Sequence, residues 1–265
     1  MIRILIRNFF LVAPLCVLPG TANAGIGPMP GVRLGTDSSL QFASREAASA
    51  ILSAEDEYTV RQSPFDRMLR LKSSSPVSPA EYFAHMAANA LEWTRADIAK
   101  LTPLMQELSS TLAEYRLPLP PTVLLVKTTG REEVGAGHTR ANAIVLPTRS
   151  LAEDDDTLFF LLAHELFHVM TRHDPDFRSK AYAQVGFRQG QEVRLPAAIA
   201  PLQITNPDVP RHDSFITVWT RGQTVEATPV LLSRSAVLDP EIGEELDDYW
   251  TLRLLVVERT SPAGT

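Results

Sequence analysis

The sequence predicts an α+β domain, and three stretches carry that prediction. After Ser78-Pro79-Ala80-Glu81, the apolar residues Phe83, Met86, Ala87, Ala90 and Leu91 recur at helical spacing. Residues 122–127 (Thr-Val-Leu-Leu-Val-Lys) and 138–146 are rich in the residue types that favour strands. From Asp156 to about Arg172, an apolar run follows three aspartates and stops at Asp174-Pro175, the pattern of a long buried helix. Helices and strands in separate blocks suit an α+β layout: a helical N-terminal region, a small sheet, a buried helix and a C-terminal lobe.

The elements follow in chain order. Arg3 and Arg7 open the chain, an apolar run spans 9–18, and Ala22-Asn23-Ala24 supplies a small-residue cleavage pair. This is the layout of an export signal over residues 1–24, and the run is too short for a membrane span, which needs about 20 apolar residues. No later segment is long and apolar enough to cross a bilayer. The expected location is therefore periplasmic or secreted, with no membrane span once the signal is removed. Cys16, the single cysteine, lies inside that signal, so the mature chain has no disulfide. Loss of Arg3 and Arg7 takes the net charge from −6 to −8. An acidic chain without a basic run is a poor partner for nucleic acid.

Residues 25–78 read as a loose arm and linker, rich in Gly and Pro at first, with a short helix over 44–57 and a loop over 62–78. Residues 79–265 form the expected domain. Ser78-Pro79-Ala80-Glu81 is a capping-box start, and Pro103 is expected to break the helical region 79–115 in two. Pro118, Pro120 and Pro121 force an extended connection into the strand 122–127. A strand over 138–146 ends at Pro147. The long helix over about 156–172 follows, then helical pieces near 178–185 and 196–200. Residues 214–220 and 224–232 read as a β-hairpin around Arg221-Gly222-Gln223. Residues 237–246 are an acidic loop or short helix, and 248–257 a helix or strand favouring a strand at its end.

The chemistry lies in His164-Glu165-Leu166-Phe167-His168. Histidines four apart on a helix differ by about 40° around its axis, so both rings leave one face a turn apart and can reach one ion. Glu165 sits beside such an ion, where it can take a proton from water that zinc has made acidic. Between Leu158 and Met170 no other residue is charged. Polar groups on so apolar a helix need a reason to be buried, and a metal supplies it.

With Ala163 before it and Val169-Met170 after it, this motif resembles the zincin superfamily of metallopeptidases, gluzincin-like and of an exported bacterial type. The resemblance implies Zn2+ held by His164 and His168, Glu165 as general base, and hydrolysis of a peptide or protein substrate outside the cytoplasm. It also implies that the strand 138–146 runs along the site and takes an extended peptide as an added strand. The alternative is a catalytically inactive exported protein that binds peptides or a partner. A catalytic zinc takes three protein ligands. By resemblance to gluzincins the third is a later Glu with an acidic residue four further on: Glu244 with Asp248 is the best candidate, and Glu241 with Glu245 has the same spacing. Asp174 has a metzincin-like ligand spacing, although Thr171 stands where that pattern has glycine. His212 and Glu192 are further options, and a shortened chain would lack the ligand. Thr205-Asn206-Pro207-Asp208 reads as a turn.

Overall fold

The computed structural model describes residues 31–239, 241–243 and 245–257. The export signal expected over 1–24 lies outside them. The chain is α+β, with two sheets and seven α-helices among the described residues.

The first sheet holds β1 (Gly31–Leu34), β2 (Ser38–Phe42), β3 (Ala90–Leu91), β4 (Thr122–Thr128), β5 (His138–Arg140) and β6 (Ala143–Pro147). Its order is β1-β2-β4-β6-β5, with β3 on β4. The centre, β2-β4-β6, is parallel, while β1, β3 and β5 pair antiparallel. Side chains alternate across a strand, and here both faces are covered. Val123, Leu125, Ile144 and Leu146 pack on one side against α4 (Arg95–Leu112) and α5 (Asp155–His173). Val126, Ala143 and Val145 pack on the other against α1 (Arg45–Leu52) and α3 (Pro79–Ala88). Burial on both faces explains why β4 and β6 read as continuous apolar runs.

The loose arm expected over 25–78 is corrected from Gly31 onward. The segment 31–42 adds two strands to the sheet, with β2 parallel to β4. The loop expected over 62–78 contains α2 (Pro64–Leu71), whose N-cap Ser63 accepts from Asp66 N. Pro103 does not break the helix: it lies exposed inside α4, where the carbonyl left without its donor can meet water. The break falls before it, at 89–94, where Thr94 and Asp97 form a capping box. Ser78 and Glu81 form the expected box at α3. The single strand expected over 138–146 is two strands, folded back at Ala141, which has φ of 50°.

Asp154 caps α5, its carboxylate accepting from Thr157 N at 2.8 Å. Pro175 ends α5 and begins α6 (Pro175–Ala183). The second sheet has the antiparallel order β10-β9-β8-β7: β7 (Phe187–Gln189), β8 (Ser214–Thr220), β9 (Gln223–Ser233) and β10 (Trp250–Val256). The segment 248–257 is thus the end of α7 (Leu246–Tyr249) followed by a strand. Phe65 and Leu69 of α2 join Ile204 and Tyr249 in a third apolar cluster.

Candidate metal centre

The helix α5 presents the motif as expected. His164 Nε2 and His168 Nε2 lie 3.0 Å apart, two ring nitrogens directed at one small volume. Two ligands at tetrahedral zinc sit about 3.3 Å apart, so the pair needs only a slight spread to share an ion. His164 is exposed, whereas His168 and Glu165 are each 2% exposed. The pair therefore opens to solvent on the His164 side alone.

Behind His168 lies a carboxylate from a distant part of the chain. Asp208, Glu165 and His168 each offer a ligand atom within 4.8 Å of the other two. Thr139 of β5 fixes Asp208, donating to Oδ1 from its backbone N at 2.7 Å and from its hydroxyl at 2.6 Å. Arg172, the last basic residue buried on α5, donates to the carbonyls of Ala141 at 3.1 Å and Pro207 at 3.2 Å. It ties the helix to both the β5–β6 turn and the segment that carries Asp208. His138, buried on β5, has its Nδ1 3.3 Å from Ala136 O.

Several polar atoms here are buried without a hydrogen-bond partner: Glu165 Oε2, His168 Nδ1 and His138 Nε2. Buried polar groups are nearly always paired, with protein, water or an ion, so these three atoms are free to take such a partner. Burial pushes the Glu165 carboxyl well up, and the charge of Asp208 adds to this. Burial also holds His168 and His138 neutral, each down to about 4. Burial opposes the charge on Asp208 as well, yet that carboxyl is held below its usual range, with the hydrogen bonds from Thr139 and the charge of Arg172 favouring its ionised form. Two carboxylates this close do not both ionise readily, and their surroundings place the charge on Asp208.

The donor set fits a divalent metal of the imidazole-binding kind. His164 does not belong to the metal-sized group of Glu165, His168 and Asp208. Co-ligands of one tetrahedral ion sit about 3.3–3.5 Å apart, so Asp208 does not share an ion with His164 in this arrangement. It lies close enough to His168 to act on it electrostatically, while His168 Nδ1 makes no hydrogen bond to it.

The other expected ligands are engaged elsewhere. Asp174 caps α6, accepting from Asp176 N and Phe177 N at 2.9 Å each; its proximity to His168 in sequence reflects a helix boundary. Glu192 pairs with Arg61 at 2.8 Å. Glu245 pairs with Lys72, and Asp248 accepts from Glu245 N within the cap of α7. Glu241 is exposed. His212 lines a separate cleft beside β8 and β9. Glu244 lies outside the described residues. Among the described residues no third side chain joins both His164 and His168 in a metal-sized group.

The added-strand role expected for 138–146 is also corrected. The hairpin makes β5 the sheet edge, all three of its residues are buried, and the outward N–H of Thr139 is taken by Asp208. Asp208 is the residue that sequence reasoning missed; its only local signal is the turn in which its N–H donates to Asn206 Oδ1 at 2.8 Å. No family model, curated protein or solved structure matches this chain.

Proposed function

We propose that this chain is a zinc-dependent peptide hydrolase of the zincin type, exported from the cytoplasm and acting on peptide or protein substrates. The observation that carries the reading is the convergence of His164 Nε2 and His168 Nε2 beside a buried carboxyl with a free oxygen. His164 and His168 would hold the ion, with the Asp208 carboxylate close to His168. Bound zinc supplies a polarised carbonyl and a water acidic enough to ionise near neutral pH. Glu165 would accept the proton of that water at Oε2 and return it to the leaving amine. Its raised affinity for protons suits the second half of that cycle. Arg172 keeps the helix and the Asp208 segment in register while this happens.

The test is zinc per chain in the purified protein, measured with hydrolysis of a mixed peptide substrate. The parent should carry about one zinc, as one His-based site holds one ion. His164→Ala should lose the zinc, and Glu165→Ala should keep it and lose hydrolysis. Zinc retained in His164→Ala but lost in Asp208→Ala would place the ion among Glu165, His168 and Asp208 instead. Such an ion would be enclosed and structural. The inactive, partner-binding alternative rests on that enclosed group of three buried ligand atoms, and this outcome would favour it.

A further inference from the structure

The second sheet ends in a strand whose outer edge is open. β10 pairs with β9 alone. Tyr249 O accepts from Arg234 N at 3.0 Å, and Val257 N donates to Glu226 O at 2.9 Å. Antiparallel partners alternate between bonded and non-bonded pairs, so the residues in step with Tyr249 and Val257 face β9. Leu252, Leu254 and Val256 are out of step, and their N–H and C=O groups point away from β9. Among the described residues nothing bonds to those groups. The side chains of the same three residues share one face of the sheet. Leu254 and Val256 are 47% and 48% exposed there, and Leu252 is half-buried.

The other edges are treated differently. The outward N–H of β5 is taken by Asp208. β7, the opposite edge of the same sheet, is three residues long, and its Arg188 bonds to Glu226 at 3.0 Å. β10 is seven residues long, and Arg253 is its single charge. A long apolar edge is a template for another strand.

The sequence of β10 says which strand fits. A strand paired antiparallel with its own copy is related to it by a two-fold axis, so one residue must meet itself. With the axis at Leu254, Leu254 meets its own copy and Leu252 meets Val256 of the second copy. Every outward group then finds a partner, and the exposed side chains of both copies join in one apolar strip. An axis at Arg253 would instead set two guanidinium groups directly opposite each other, which is unfavourable. The second copy thus supplies the apolar pattern that this edge lacks, in one register.

We propose that two copies of this chain pair antiparallel along β10 about a two-fold axis at Leu254, joining their second sheets into one. The pairing adds about six backbone hydrogen bonds, two for each of the three facing pairs. It stands apart from the metal-centre reading, since none of its residues is a proposed ligand.

Light scattering of the purified protein should give twice the mass of one chain. Leu254→Pro removes an N–H that β9 does not use, and proline is tolerated on the open side of an edge strand. It should return the mass to one chain while circular dichroism stays that of the parent. Leu254→Lys, which sets like charges together at the axis, should do the same. Cys16 is the single cysteine, so a Cys16→Ser background has no thiol of its own. In it, Leu254→Cys should cross-link the copies on mild oxidation, because facing bonded residues lie about 5.5 Å apart at Cα, within disulfide reach. Arg253→Cys, offset from its own copy by two residues, lies about 7–8 Å from it and should not cross-link. A parent of one-chain mass at roughly 100 μM, where even weak pairing shows, would overturn the proposal. So would a doubled mass kept in both Leu254 variants, or equal cross-linking of the two cysteines. In a one-chain parent, slow hydrogen exchange at Leu252, Leu254 and Val256 would assign the edge to a segment of the same chain, and fast exchange to an unlike strand.

Discussion

Two buried polar centres lie on either side of the segment 205–208, and they are finished differently. In the first, Arg70 donates to Asp66 at 2.9 Å, to Glu133, and to the carbonyl of Thr205 at 2.6 Å. Asp66 in turn accepts from Thr205 N at 2.9 Å, and Tyr58 bonds to Glu133 and lies 3.1 Å from the Tyr82 hydroxyl. The guanidinium groups of Arg70 and Arg140 also sit over the Tyr58 ring, 5.3 and 5.1 Å from its centroid. In the second centre, Asp208, Glu165, His168 and His138 are equally buried but leave three polar atoms without partners. The first network is largely paired, with only the Gln62 amide beside Tyr82 lacking a protein partner, and a paired network rigidifies a core; the second is less completely paired.

The largest effect that would sharpen this contrast is on the finished side. Arg70→Met should lower unfolding free energy by about 3–5 kcal/mol, because it strands Asp66 and Glu133 as buried charges; urea denaturation reads this directly. A loss under about 1 kcal/mol, the range of an exposed pair, would mean that the network is not structural.

Next in size is a pH effect on the open side. The His138 pKa is lowered to about 4 in the folded chain, against about 6.5 in an unfolded one. Its neutral form therefore contributes stability above about pH 6.5, and that contribution falls as pH drops toward 4. The full contribution is on the order of 3 kcal/mol. In melting curves across this window, His138→Phe should show a shallower loss than the parent. Parallel slopes would remove His138 from the buried centre.

Asp208→Asn keeps an acceptor for Thr139 but removes the charge behind His168. Removing a negative charge this close to the proposed ligand should lower zinc affinity about tenfold. Competition with a chelator of known affinity measures it, and an unchanged affinity would remove Asp208 from the centre. The smallest effect is that of Glu165→Gln, which takes a poorly placed acid out of an apolar helix. Stability should stay within about 1 kcal/mol of the parent or rise, the opposite of Arg70→Met. A large loss would show that Glu165 is structural.

The parts of the molecule legible in sequence are those whose signals are local. His164, Glu165 and His168 share a helix whose start is written in Asp154 and whose end is written in Pro175. The hairpin of β8 and β9 is bounded by its own turn, with positive φ at Arg221 and Gly222. By contrast, Asp208 reaches the centre only because the chain returns past β5, and nothing within a few residues of it records that return. α2 escaped for another reason. Ser63-Pro64 has the same cap-and-proline start as Ser78-Pro79, but the surrounding prolines and serines read as loop. The first two strands were hidden by the glycines and prolines before them. The parallel pairing of β2 with β4 brings together residues about 80 positions apart, beyond the reach of any local pattern.

The bond from Thr139 to Asp208 has a consequence for solubility. An open strand edge invites another copy of the chain to pair with it, and proteins blunt such edges with charge or with a covering loop. Here one carboxylate does both for β5 while it faces His168. Loss of this aspartate would therefore uncover a surface that recruits neighbouring molecules, and self-association at rising concentration would report it.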